Sequence, residues 1–180
     1  MKPAAVRSVL AILVLAIALS ALLIGCSGPH YLSFPFDPNG RSLNSPYAEL
    51  SPKAASRHLV FVSDRAGSQD VYVYDLIGRQ LLDLPELNSL DMTVADPDIS
   101  EDGRYIVFAG NRQGESNIYL YDRQLYQLRS LTNALKAEVR NPSISADGST
   151  IAFESNAQGQ WDILIYTRAG DPLDIPMNPR

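Results

Sequence analysis

Three segments of this chain, residues 51–75, 100–122 and 145–167, share one pattern of residues. Their landmark residues lie 47 and then 45 positions apart. Self-similarity at about 40 to 45 residues is typical of a four-stranded β-propeller blade. The sequence therefore predicts an all-β fold of three four-stranded antiparallel blades, a partial propeller. The landmarks are three phenylalanines, three glycines and a following Asp or Asn: Phe61, Phe108, Phe153; Gly67, Gly114, Gly159; Asp70, Asn117, Asp162.

The second repeat shows how one blade is built. Asp102-Gly103 lies between apolar runs and predicts a tight hairpin, because glycine accepts the positive φ of such a turn. Residues 118–121 are β-branched or aromatic on both faces, which suits a strand covered on both sides. A last strand is predicted at 128–132, with counterparts at 81–84 and, more weakly, 173–176. Two extra residues in the first repeat predict a looser first hairpin.

The first 26 residues are typical of an export signal. Lys2 and Arg7 precede a mostly apolar run of 16 residues, 9–24, and then a small residue and Cys26. Leu-Ile-Gly-Cys resembles the lipobox of bacterial lipoproteins, which implies that Cys26 is acylated and becomes the mature N-terminus. The alternative is an uncleaved anchor helix, but the run falls short of the roughly 20 residues that cross a bilayer comfortably.

The segment after the signal, 27–45, is rich in Ser, Pro, Gly and Asn and predicts a tether. Its end, 41–44, echoes 129–132, so the tether is expected to finish as a stray strand. No helical periodicity occurs after residue 27. The predicted domains are a signal peptide at 1–25, a lipidated N-terminus and tether at 26–45, and blades at about 46–92, 93–139 and 140–180.

The cysteine count and the net charge argue against several classes of partner. Cys26 is the only cysteine, so a mature lipidated chain has neither a disulfide nor a cysteine metal site. Without Lys2 and Arg7, 13 basic residues remain against 20 acidic ones, a formal charge of −7. This charge argues against nucleic acid and against a basic membrane patch, so the lipid is the expected membrane contact. Ser27 resembles the outer-membrane sorting case of Gram-negative bacteria, with the body facing the periplasm or the exterior.

The repeat itself resembles that of the TolB-like propellers over roughly residues 46–180. The shared pattern is Ser-x-Asp-Gly, an apolar strand with Phe, a glycine connection, and Ile-Tyr-Leu-Tyr-Asp. The resemblance implies a protein-binding platform in the bacterial envelope; the type member works with a peptidoglycan-associated lipoprotein and inner-membrane Tol proteins. Two differences put a Tol-like role in doubt, namely the lack of a preceding α/β domain and the chain's own lipid signal.

Catalytic chemistry is not indicated. No Gly-x-Ser-x-Gly, phosphate-loop or His-Glu-x-x-His motif occurs, and the only histidines, His30 and His58, stand apart. Asp102 and Asp147 lie at hairpin tips, where Asp favours turn geometry. We therefore expect no enzyme activity, cofactor or metal. Side chains at two repeated positions are expected to bond the local backbone, with a ligand face as the alternative: Asp64, Asn111, Asn156; Arg65, Arg112. Trp161 is expected to pack, not to form a sugar platform, and partial exposure is also expected because it replaces a serine of the second repeat.

A channel along the propeller axis is the predicted place for binding. The innermost strand of each blade points alternate residues toward the axis, and Glu49, Asp98 and Ser143 are interpreted as equivalent, polar, channel-lining residues. A weakly acidic channel of this kind suits a basic peptide or a cation.

Closure sets the expected assembly, because propellers typically close with four to eight blades. Three blades are expected to leave two apolar faces bare, and such patches mark interfaces. The simplest arrangement is a homodimer that forms a six-bladed ring about a twofold axis. Two alternatives remain: an open three-blade stack that is stable alone, and a half-ring completed by another propeller protein. The predicted function is a non-enzymatic binding or scaffold lipoprotein; the alternative is an enzyme or sensor of a small ligand or peptide whose site forms only in the assembled ring.

Overall fold

A computed structural model describes Asp37 and residues 40–174, and these residues form three antiparallel sheets and no helix. None of them belongs to a helix that is long and apolar enough to span a membrane. The first blade comprises β1 (Glu49–Ala55), β2 (His58–Ser63), β3 (Asp70–Asp75) and β4 (Gln80–Leu81). The second comprises β5 (Met92–Ile99), β6 (Tyr105–Arg112), β7 (Glu115–Asp122) and β8 (Gln127–Ser130). The third comprises β9 (Val139–Ile144), β10 (Thr150–Ser155) and β11 (Asp162–Thr167).

The predicted fold class is confirmed, because each blade is a meander whose neighbouring strands pair in chain order. Among the described residues the third blade has three strands, and a single bridge between Tyr166 and Pro172 lies just before the fourth strand predicted at 173–176. Ile175 and Pro176 of that predicted strand lie outside the described residues. The stray strand predicted at 41–44 does not form.

Each innermost strand is bent at a proline. The residue before the proline has a φ of 48° at Ser51, 48° at Asp96 and 50° at Asn141, and the pairing register shifts at the same place. Proline is tolerated at such a bulge because it has no N–H to donate to a ladder. The three prolines, Pro52, Pro97 and Pro142, fix which residues of the three blades are equivalent.

The bulges overturn one prediction about the first hairpin. Ala55 pairs with His58, so only Ser56 and Arg57 form the turn, and Ser56 adopts a φ of 49°. The first hairpin is therefore tighter than predicted. Aligning Ser51 with the serines at 100 and 145 produced the error, because Ser51 matches Asp96 instead.

Neighbouring blades pack face to face. We call the side of a blade that meets the preceding blade its leading face and the opposite side its trailing face. Two hydrophobic clusters fill the two junctions. At the first junction Val60, Val62, Val71 and Val73 meet Ile106, Phe108, Tyr119 and Tyr121; at the second, Val107, Ala109, Ile118 and Leu120 meet Ile151, Phe153, Leu164 and Tyr166.

Hairpin glycines also hold each junction together. Gly103 has a φ of +71°, and a Cβ built there would lie 2.3 Å from the ring of His58 on the first blade. Gly148 has a φ of +69°, and its Cβ would lie 2.6 Å from the ring of Tyr105 on the second blade. Glycine is thus required at both tips for turn geometry and for close contact between blades.

Candidate functional site

Asp98 and Ser143, two of the predicted channel residues, lie at equivalent positions one residue after the bulge prolines. The Ser143 hydroxyl donates to Asp98 Oδ2 at 3.0 Å, and the Ile144 N–H donates to the same oxygen at 2.9 Å. One residue before the prolines, Ser51 donates to Asp96 across the first junction at 3.2 Å. These side chains therefore link neighbouring inner strands, and their role in binding a ligand stays a prediction.

Glu49 does not belong to that set. The bulge alignment places Lys53, not Glu49, at the position of Asp98 and Ser143, which corrects the predicted equivalence. Glu49 lies at the start of β1 opposite Ser63, where its carboxylate pairs with Arg65 at 2.8 Å. The chain thus brings two of the three predicted residues together and places the third in a separate ion pair.

Arg65 organises the leading face of the first blade. Its side chain is only 4% exposed and stacks over Phe61 and Tyr72, with Cζ 5.2 and 4.9 Å from the ring centroids. The guanidinium donates to Ser63 Oγ, to Glu49 Oε1 and to three main-chain carbonyls in the segment that precedes β1. These carbonyls belong to Gly40, Ser42 and Leu43, at 2.9, 2.8 and 3.0 Å.

The segment 40–43 therefore covers part of this face, and Phe61 is only 1% exposed. The prediction of two bare apolar end faces is wrong for this end. An arginine that satisfies its donors with one carboxylate and several carbonyls is stable when buried, because neither the charge nor an N–H is left unpaired.

The trailing face of the third blade is open. Ile163 is 64% exposed, whereas the equivalent Val71 and Ile118 are buried at the two junctions. Trp161 precedes it and is 42% exposed. No described residue covers this face, so it offers the apolar surface that a following blade covers at both internal junctions. The partial exposure expected for Trp161 is thus observed.

A charged group also lies on the open face. Glu154 takes the position of Val62 and Ala109, and it accepts hydrogen bonds from Arg140 at 2.6 Å and Asn141 at 2.9 Å. These two donors lower the pKa of Glu154. Arg140 also lies 3.8 Å over the ring of Trp161. The open face therefore combines apolar residues with a carboxylate that already has its counter-charge.

The hairpin acids act in turn geometry, as predicted. Asp102 and Asp147 accept from Ser100 and Ser145 and from the main chain two residues on. The bond from Ser145 and those from Ser149 lower the pKa of Asp147 to about 2. The side chains at the repeated Asp or Asn position also accept hydrogen bonds from the main chain: Asp64 from Ala48, Asn111 from Gly114 and Asn156 from Glu138. Only the Asn111 bond is local, as predicted for all three.

His58 is a packing residue. It is buried under the Gly103 turn, and burial, followed by the charges of Arg123 and Arg57, lowers its pKa. Its Nδ1 is buried without a hydrogen-bond partner in the described part of the chain. Residues 37 and 40–174 contain no group of three potential metal ligands among His, Cys, Asp and Glu. Cys26 and His30 lie outside the described residues.

Sequence reasoning missed two features of this site. The buried role of Arg65 differs from that of Arg112, which occupies the same repeat position but pairs with half-exposed Asp91. Nothing in the local sequence separates the two arginines. The bulges, in contrast, could have been predicted from the sequence, because Pro52, Pro97 and Pro142 follow one another at intervals of 45 residues.

No family model matches the chain, and neither does any curated protein. Solved structures do match. TolB from Acinetobacter baumannii superposes with a TM-score of 0.57 and 24% identity, over 69% of this chain and 31% of that one. A putative TolB from Agrobacterium tumefaciens gives 0.51 and 22%, over 63% and 40%. The β-propeller domain of the trilobed protease from Pyrococcus furiosus gives 0.52 and 12%, over 71% and 42%.

These matches show that the three sheets are blades of a TolB-like β-propeller. At such identities the likeness concerns the fold alone. The chain spans between 31% and 42% of the lengths of these three structures.

Proposed function

We propose that this chain is a lipid-anchored protein of the bacterial cell envelope whose blades serve as a non-enzymatic protein-binding scaffold. The observation that carries the proposal is the open trailing face of the third blade. The equivalent faces of the first and second blades are each buried against a following blade, whereas Ile163 on the third blade is exposed to solvent. Burying exposed apolar surface is the main favourable term in protein association, so this face is the docking surface.

The anchor is Cys26, acylated after removal of residues 1–25, and the blades face the periplasm or the exterior. In a Gram-negative cell, Ser27 favours the outer membrane over the inner one. The formal charge of −7 leaves membrane contact to the lipid. Labelling cells with palmitate should mark the wild-type protein and leave the Cys26→Ser variant unlabelled.

The partner we propose for the open face is the first blade of a second copy. Its leading face carries Leu59, Tyr72 and Tyr74, which are half-buried, at the positions of Ile106, Tyr119 and Tyr121, which contact a trailing face at the first junction. Phe61 is already buried beneath Arg65 and segment 40–43, so the new contact forms beside that segment. A twofold axis then creates two identical new junctions and a ring of six blades. Glu154 enters the new junction together with Arg140, which limits the cost of burying its charge.

Sedimentation of the full chain in a non-ionic detergent tests this partner. We expect twice the monomer mass for the wild type at micromolar concentration and a monomer for Ile163→Asp, because a carboxylate would be buried unpaired. Ile77→Asp is the matched control, since Ile77 is 73% exposed in an outer turn of the first blade, and it should leave the dimer intact. A monomeric wild type would exclude the second copy.

The scaffold role has its own test. Crosslinking in envelope membranes followed by capture should recover the same partner with wild type and Ile77→Asp, and lose it with Ile163→Asp. Equal recovery with all three proteins would show that the open face is not the docking surface.

A further inference from the structure

A cleft of about 450 Å³ lies at the second junction, beside Tyr105. The second blade contributes Arg129 to its wall, and the third contributes Ser149, Thr167 and Arg168. We propose that this cleft binds an oxyanion group, a carboxylate or a phosphate, between Arg168 and Arg129. This inference is independent of the open end face, which lies on the other side of the third blade.

The two arginines are held in place without neutralising their charge. The Arg168 guanidinium stacks over Tyr105, with Cζ 4.5 Å from the ring centroid. Arg129 donates to the carbonyl of Ala169 at 2.9 Å and to that of Arg168. Neither guanidinium forms an ion pair with any residue among 37 and 40–174. The segments outside these residues contain no Asp or Glu, so no side-chain carboxylate is left there to pair with them.

One carboxylate does line the cleft. Asp122 accepts two bonds from Arg104, at 3.1 Å from Nε and 2.7 Å from Nη2, so its charge is already balanced. The cleft therefore keeps an excess of two positive charges. Burial, and next the charge of Arg168, lowers the pKa of Arg129, which is the direction expected of a cation that lacks a counter-ion. An oxyanion between the two guanidiniums would accept charge-assisted hydrogen bonds.

The first junction has different side chains at the equivalent place. There the ion pair Arg104–Asp122 takes the positions of Ser149 and Thr167. Leu82 takes the position of Arg129 and packs against the core. The small side chains of Ser149 and Thr167 thus leave free volume at the second junction, and Arg129 makes that junction more basic. This combination of free volume and uncompensated charge is what a bound anion requires.

Thermal unfolding of the full chain in a non-ionic detergent tests the site. Two probes are used at constant ionic strength, inorganic phosphate and a tetraglutamate peptide, each balanced with sodium chloride. A ligand that binds only the folded state raises the Tm progressively, with the logarithm of its concentration once that exceeds Kd. We expect at least one probe to do so, and Arg168→Gln to weaken its apparent affinity about tenfold or more. Lys136→Gln, which removes an exposed charge elsewhere, should leave the affinity unchanged.

A second variant fills the cleft instead of removing charge. Ser149→Arg combined with Thr167→Asp installs the ion pair of the other two blades, and it should abolish the response while keeping the Tm measured without ligand. A response to phosphate alone identifies a free anion as the ligand, and a response to the peptide alone identifies an acidic protein segment. The site is refuted if the wild type responds to neither probe, or if Arg168→Gln responds as the wild type does.

Discussion

The two ends of the blade stack are built from the same repeat and have different surroundings. At the leading face of the first blade, Arg65 holds segment 40–43 in place, and Phe61 is buried beneath them. At the trailing face of the third blade, Ile163 is exposed to solvent. The repeat supplies an apolar face at both ends, but what covers a face depends on residues outside the repeat. One end is therefore partly closed within the chain, and the other is available to a partner.

The largest loss of stability should come from removing Arg65, which holds segment 40–43 over the leading face of the first blade. Arg65→Met keeps much of the side-chain volume but leaves Glu49 without its counter-charge and three carbonyls without donors. Breaking a buried pair of this kind costs about 3–5 kcal/mol. Urea unfolding of the full chain should show a loss in this range.

Arg112→Met is the matched control, because Arg112 occupies the same position in the second blade. Its side chain is 40% exposed, and its partner Asp91 is more exposed still. Exposed pairs contribute about 0–1 kcal/mol, so the control should lose little stability. Similar losses for the two variants would show that segment 40–43 does not depend on Arg65.

A smaller difference is expected between a closed junction and the open face. Ile118 and Ile163 are equivalent, but only Ile118 is buried. Ile118→Ala should cost about 2–4 kcal/mol, because it removes buried methyl groups and leaves a cavity. Ile163→Ala should stay within about 0.5 kcal/mol at protein concentrations too low for association. Equal losses at low concentration would mean that Ile163 is covered within the monomer.

The blade architecture was predictable because it rests on local signals. The phenylalanine, glycine and Asp or Asn landmarks recur with the blade, and Asp-Gly turns and two-sided apolar strands are visible in single segments. The register of the inner strands was harder to obtain. Ser51 looks like the serines at 100 and 145, yet the prolines show that it matches Asp96, and this shift of the alignment also misplaced Glu49.

The candidate site was less predictable because its contacts join distant parts of the chain. Arg65 and Arg112 have similar local sequences, but only Arg65 meets a covering segment about 25 residues earlier in the chain. The openness of Ile163 likewise depends on the absence of a following blade in the described residues, not on the residue itself. Asp98 and Ser143 lie at equivalent positions, as predicted, because this equivalence follows from the repeat.

The smallest effect concerns pH at the first junction, where His58 takes the position that Tyr105 takes at the second. The folded-state pKa of His58 is lowered from its usual 6.5, mainly by burial. Below pH 6.5 the unfolded chain therefore binds a proton that the folded chain excludes, and stability falls as the pH drops through this window. His58→Tyr, which copies the second junction, should remove this component and flatten the profile just below pH 6.5. The test is urea unfolding across that range, with the exposed control Lys136→Gln keeping the wild-type slope. Equal slopes for wild type and His58→Tyr would mean that the imidazole titrates normally and is not confined beneath Gly103.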